Sequence, residues 1–377
     1  MSTYCSLKFS YLTVCPEKRE IASCCSADPI KVDLSLLKDN KFDIFNIKPL
    51  QQDRIGMLAG QRVSSCEKTC WQIEDAGFTS IRQSTKSDLI THTNIVASPT
   101  ILNIRLDSQC NLTCSYCCKE YSTSWTHDII KNGMYFDEPR FQLTPQDKIR
   151  QKLSQTDVKN SQSTNLLLNT SIQYSTIELV EISGGEPFLN TGLVELINRI
   201  DHPIEIFSGL GVQPSRFEKL LTKIPKHVSI NISAENVGKL HEFNRYGSSY
   251  ENFLKNVDTI HNSNRSYRFS STLNNLTIHG FDKFQKEFDI EDNRLQLLTS
   301  PEYLSMNVID KISQSAILKH NYIKFDTEIK KIASQPYNLE QKVKLKIYLI
   351  EFARRRSLSL NVFPESFLHW LEIKEKV

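Results

Sequence analysis

Leu102-Asn-Ile-Arg-Leu-Asp-Ser-Gln-Cys110-Asn-Leu-Thr-Cys114-Ser-Tyr-Cys117-Cys118 runs from a strand straight into a cysteine loop. Leu102, Ile104 and Leu106 alternate with Asn103, Arg105 and Asp107, which is the period of a strand. The theme repeats downstream, with strands expected at 177–183, 204–208, 228–233, 267–273 and 294–298. Helical spacings separate most of them: Leu193/Leu196/Ile197/Ile200, Phe217/Leu220/Leu221 and Phe253/Leu254/Val257/Ile260. Six strands with intervening helices predict an α/β fold with a parallel sheet built from crossover units. An open barrel of six units and a doubly wound sheet both satisfy that periodicity.

Outward from this core the chain divides into three zones. Residues 1–95 form a cysteine-rich extension whose clearest helix runs near Leu50 to Leu58, with Gly60 as its stop. Residues 96–310 are the strand–helix core. Residues 311–377 are a helical C-terminal region, strongest over Val343 to Arg356, and Val362 to Trp370 is an apolar segment expected to dock on the body. Between Cys118 and Ile177 the chain is longer than one crossover needs. Its part from Ser154 to Ser175 is rich in Ser, Thr, Asn and Gln and reads as a flexible surface insertion. Nearer the cysteines, Tyr121, Trp125, His127, Tyr135 and Phe136 belong either to a loop over a site or to a packed excursion.

Composition narrows the class. The 377 residues are 39% hydrophobic and 24% charged, which is globular rather than disordered. A net charge of +3 gives no sign of a nucleic-acid or anionic-membrane partner. The densest basic run, Arg354-Arg355-Arg356, reads as a solvated helix end. No stretch approaches the roughly 20 apolar residues of a membrane helix, and the N-terminus lacks a secretion pattern. The expectation is a cytoplasmic protein, where ten cysteines are not a disulfide framework. Six of them fall in the first 70 residues, four lie between 110 and 118, and none follow. Metal ligands cluster in this way.

The spacing C-x3-C-x2-C lets three thiolates on one tight loop, Cys110, Cys114 and Cys117, hold three irons of a cubic cluster and leave the fourth open. Zinc would want a fourth ligand close by, and Cys118 is adjacent to Cys117, where side chains rarely converge on one ion. A second motif, Gly184-Gly185-Glu186-Pro187, ends the next strand. Its glycines admit a ligand close to the backbone, Glu186 can accept from an ammonium group, and Pro187 fixes the turn. In the extension, Cys66 and Cys70 sit four apart on a helix turn. Together with Cys5 and Cys24-Cys25 they can hold a second, fully ligated cluster or a zinc ion.

The two core motifs together resemble the radical S-adenosylmethionine (radical SAM) superfamily. Its loop is matched at Cys110, Cys114, Tyr116 and Cys117, its Gly-Gly-Glu-Pro strand end at 184–187. The resemblance covers about 100–300 and implies a partial (β/α)6 barrel. It implies a 4Fe–4S cluster whose one open iron holds the amino and carboxylate groups of S-adenosylmethionine. Gly184, Gly185, Glu186 and Pro187 would then lie at the amino group and Tyr116 near the adenine. Ser233 and Glu235 match more loosely the positions that contact ribose or carboxylate, with a solvated strand end as the alternative. Phe207-Ser208-Gly209 departs from the Thr-Asn-Gly usual after the third strand, which leaves those contacts open.

The N-terminal pattern also carries a resemblance. Arg54-x-x-Met57-Leu-x-Gly60, Cys66-x-x-x-Cys70 and Glu74-x-x-Gly77-x-x-Ser80-x-Arg82 look like the SPASM or twitch extension, and Phe363-Pro-Glu365 resembles the ending of one twitch-type group. This implies an auxiliary 4Fe–4S cluster on Cys5, Cys24 or Cys25, Cys66 and Cys70, with Cys15 as a packed residue. The implied chemistry is reductive cleavage of S-adenosylmethionine to a 5′-deoxyadenosyl radical that abstracts hydrogen. No catalytic side chain is assigned beyond the cluster. The expected substrate is a peptide or protein, alternatively a sugar, nucleotide or other small metabolite. The electron donor would be a flavodoxin or ferredoxin. A zinc-stapled binding protein without catalysis is the reading from another class.

Overall fold

The computed structural model describes residues 3–33, 35–38, 42–75, 77–85, 94–145, 147, 162–290, 294–320 and 326–374. Eleven strands follow in chain order: β1 Tyr11–Cys15, β2 Glu20–Ala22, β3 Ile30–Lys31, β4 Ile101–Arg105, β5 Thr113–Cys114, β6 Leu179–Ser183, β7 Ile204–Ser208, β8 Ser229–Ser233, β9 Arg245–Tyr246, β10 Tyr267–Leu273 and β11 Arg294–Leu297. All six strands expected from the alternation form, as β4, β6, β7, β8, β10 and β11. The fold is mixed α/β with parallel pairing and helical crossovers.

The chain makes two compact units, Met1–Asp107 with Leu153–Ile206, and Ser108–Lys152 with Phe207–Val377. In the first, the strand order is β7-β6-β4-β1-β2-β3. β4 pairs in parallel with β6, and β6 with β7. β1 was not expected: it joins β4 in parallel, Leu12 opposite Leu102 and Val14 opposite Ile104. Every residue of Tyr11–Cys15 is buried, so the strand shows no alternation to read. Helix Lys48–Leu58 forms as expected, and Gly60 follows it at φ 77°. The polar stretch read as a flexible insertion contains a helix, Gln162–Ser171, whose Leu167 and Leu168 are buried. Residues 154–161 of that stretch lie outside the described residues.

In the second unit β8, β10 and β11 lie side by side in parallel. Ile230, Ile232 and Phe269 are buried, and Phe269 packs edge-on to Phe284 of helix Phe281–Glu287 at 5.4 Å. Helices Lys311–Lys319, Asp326–Ala333 and Leu339–Arg356 fill the C-terminal region. The basic run at the end of the last helix is not solvated. Arg354 is exposed, but the side chain of Arg355 is 1% exposed and paired with Asp128 at 3.1 Å. Arg356 donates to Thr113 Oγ1 at 2.9 Å and to Tyr135 OH at 2.8 Å. Among the described residues no helix is long and apolar enough to cross a membrane.

Candidate cluster sites

The loop from Cys110 to Cys117 is held by its own backbone. Thr113 and Cys114 form β5, which pairs antiparallel with β9, placing Cys114 opposite Arg245. Ser115 N donates to Asn244 O at 2.8 Å. The loop's carbonyls accept from side chains: Leu112 O from Ser122 Oγ at 2.6 Å, Cys114 O from Trp125 Nε1 at 3.0 Å, and Cys117 O from Arg140 at 2.6 Å. Tyr348 OH donates to Ser115 O. Gly247 sits at φ 101°, and a Cβ there would stand 2.6 Å from Asn111 O, so this glycine is demanded by the closeness of the loop.

The Cys117 thiol is pushed well above its ordinary range by a hydrogen bond with Cys118, by burial, and by the Cys114 and Cys110 thiols. Cys118 is therefore a partner of Cys117. Soft donors at this spacing suit an iron–sulfur group, whose cationic irons would take the thiolates that burial disfavours. Trp125 and Tyr135 from the long connection are buried and pack together at 5.7 Å. Through the Trp125 indole, which donates to Cys114 O, the pair braces the loop. Asp128 belongs to the same structural network, accepting from Tyr135 OH at 3.0 Å. His127 is exposed.

Tyr116 and Glu235 come together. Tyr116 OH donates to Glu235 Oε1 at 2.5 Å, and Arg245 donates to Glu235 Oε2 at 2.8 Å. Glu235 is 1% exposed, so the solvated strand end does not describe it. Ser233 closes β8 and is half-buried.

In the first unit, the Gly184–Pro187 corner is tight. Gly184 adopts φ 134°, and a Cβ there would meet Asp107 O at 2.6 Å. The space this glycine opens is taken by the chain's own carbonyl, which also accepts from Gly185 N at 2.8 Å. Buried Glu186 caps the short helical turn Pro187–Leu189, accepting from Phe188 N at 3.2 Å.

The N-terminal thiols gather in one apolar cluster. Cys5, Cys24, Cys66 and Cys70 are all buried with Leu7, Tyr11, Met57, Val63 and Trp71. Cys25 is only partly buried at its edge. Burial pushes the Cys5 thiol up to about 11, with smaller contributions from Cys70 and Cys66. Burial likewise raises Cys66. A hydrogen bond with Cys25 and then burial raise Cys24. Cys15 lies apart in β1, its thiol raised by burial. No disulfide joins any of the ten cysteines. Among the described residues no group of three or more Cys, His, Asp or Glu side chains is placed to hold a metal ion. The donor chemistry of four gathered thiols still fits a thiophilic group.

The other residues of the N-terminal pattern are joints. Arg54 is fully buried and donates to Lys8 O and Phe45 O at 2.8 Å, with its guanidinium 4.3 Å from the Phe45 ring. Glu74 accepts from Ser80 Oγ at 2.6 Å and from Arg82 Nε at 2.9 Å. Arg82 lies over Trp71 at 4.7 Å, beside the cysteines. Lys8, also buried, pairs with Asp53 at 2.7 Å. Losing one partner of such a buried pair costs about 3–5 kcal/mol.

No protein-family model matches the chain, and no curated protein matches it. Among solved structures, native anSMEcpe with bound AdoMet is similar over 67% of this chain, at 14% identity and a TM-score of 0.33. Streptococcus suis SuiB bound to precursor peptide SuiA is similar over 95% of this chain and 71% of its own, at 13% identity and 0.32. SuiB bound to S-adenosylmethionine is similar over 92% and 68%, at 12% and 0.32. The chain spans 59% of the length of anSMEcpe. At these identities and scores the likeness is remote.

Proposed function

We propose that the chain is a radical SAM enzyme built on a partial (β/α)6 barrel and acting on a peptide or protein. The observation that carries this is the braced C-x3-C-x2-C loop, whose three thiols belong to one short segment. A 4Fe–4S group on Cys110, Cys114 and Cys117, with one open iron, would supply reductive cleavage of S-adenosylmethionine. The chain's part is to bind and orient. The Gly184–Glu186 corner offers backbone and a buried carboxylate to an amino group. Tyr116 and Ser233 would line a nucleoside.

Cys5, Cys24, Cys66 and Cys70 are proposed to hold an auxiliary 4Fe–4S group, with Cys24 preferred because it is buried with the other three and Cys25 is not. The peptide substrate is supported by the SPASM-like pattern of residues 54–82. The electron donor would be a flavodoxin or ferredoxin.

The test is anaerobic reconstitution with iron and sulfide, followed by iron counting and assay of 5′-deoxyadenosine with dithionite and S-adenosylmethionine. About eight irons per chain with product is expected. About four irons with product would keep the enzyme and remove the auxiliary group. Zinc without product would overturn the proposal in favour of a zinc-stapled binding protein.

A further inference from the structure

Arg245 is opposite Cys114 in the two-residue ladder of β5 and β9. Directly opposed residues of an antiparallel pair send their side chains to the same face. The guanidinium is therefore carried to the side of the ladder from which the Cys114 thiol leaves. It is fixed there by Glu235, which accepts from Arg245 at 2.8 Å and from Tyr116 OH at 2.5 Å. The guanidinium also lies 5.7 Å from the Tyr116 ring. Both members of the ion pair are buried. Among the described residues Arg245 Nε has no hydrogen-bond partner, which leaves a buried donor for a further acceptor.

We propose that Arg245, clamped by Glu235 and Tyr116, is the positioning residue that sets how readily the group held by the Cys110–Cys117 loop accepts an electron. The inference rests on the function proposed above. One-electron reduction by dithionite makes and breaks no protein bond; it adds one negative charge to the thiol-held group. A fixed buried cation beside Cys114 favours that extra charge, and the anion of Glu235, paired with the guanidinium, opposes it. Removing the cation and removing the anion therefore have opposite signs. A purely mechanical brace would give the same sign for both.

The experiment is a redox titration of reconstituted protein, without S-adenosylmethionine, followed by the spectroscopic signal of the reduced cluster. Arg245→Met is expected to lower the reduced-to-oxidised ratio at a fixed poise by about tenfold, through the loss of the cation and the exposure of an unpaired Glu235. For a one-electron couple that is about 59 mV. Arg245→Lys is expected to restore most of the ratio, and Glu235→Gln to raise it. Should Arg245→Met fail to fold, the Lys and Gln variants carry the test. Ratios within twofold of the parent in every folded variant, or a Glu235→Gln shift in the same direction as Arg245→Met, would overturn the inference alone. Absence of iron in the parent protein would overturn the function and the inference with it.

Discussion

The two cysteine sets are assembled by opposite means. The Cys110–Cys117 thiols come from eight consecutive residues and are organised by hydrogen bonds to backbone carbonyls. The N-terminal thiols come from three separated segments and are gathered by apolar packing around Trp71 and Met57. A loop of three donors, with charged residues beside it, suits a site that must keep one position open and accept electrons. Four donors sealed in a core suit a site that is closed. This difference makes separate demands on mutation.

The largest effect is expected at the loop. Cys114→Ala should abolish 5′-deoxyadenosine formation, by more than about 100-fold, while the iron attributable to the N-terminal set is retained. Iron counting and product assay on the same sample check both halves. Loss of all iron from this one variant would show that the two sets are not independent. A smaller, sharper effect is expected at the adjacent pair Cys24 and Cys25. Cys24→Ala should lose about half the iron, and Cys25→Ala should keep it, because only Cys24 is buried with Cys5, Cys66 and Cys70. The reverse result would exchange their roles.

What the sequence made legible follows the same division. Short-range order was readable: the alternation of 102–107 and the fixed spacings at 110–117 and 184–187 are all local. Cys66 and Cys70 were also readable, because one helical turn joins them. Long-range order was not. β1 is buried along its whole length, so Tyr-Leu-Thr-Val-Cys has no period to betray it. Arg355 and Arg356 look like a solvated basic run until Asp128, Tyr135 and Thr113 are brought to them by the fold. The choice between Cys24 and Cys25 depends on packing that no spacing encodes. Ten positions separate Glu235 from Arg245, and neither signals its partner by type alone.

The smallest effect is one of pH, and it separates the loop's surroundings from the N-terminal set. His241, in helix Gly238–Asn244, is buried against Phe253 with ring centroids 4.6 Å apart, and its Nε2 is 3.2 Å from Ser248 Oγ. Burial, and secondarily the charge of Arg245, hold its pKa down to about 3. A histidine kept neutral by the fold binds its proton more readily when unfolded. The native state is thus favoured above the ordinary histidine range near 6.5, and that advantage is lost progressively as pH falls towards 3. His279, pushed down to about 4 by burial, adds to the loss with the same sign. In the N-terminal core the buried guanidinium of Arg54, pushed down by burial only to about 10, stays charged throughout this window and adds no such slope. His241→Gln should therefore flatten the fall in unfolding midpoint between about pH 6 and pH 4. Limited proteolysis in the same window should open the segment around residues 238–250 before the one around residues 54–82. Equal slopes for the two proteins would show that the cost of charging this ring is met elsewhere in the fold.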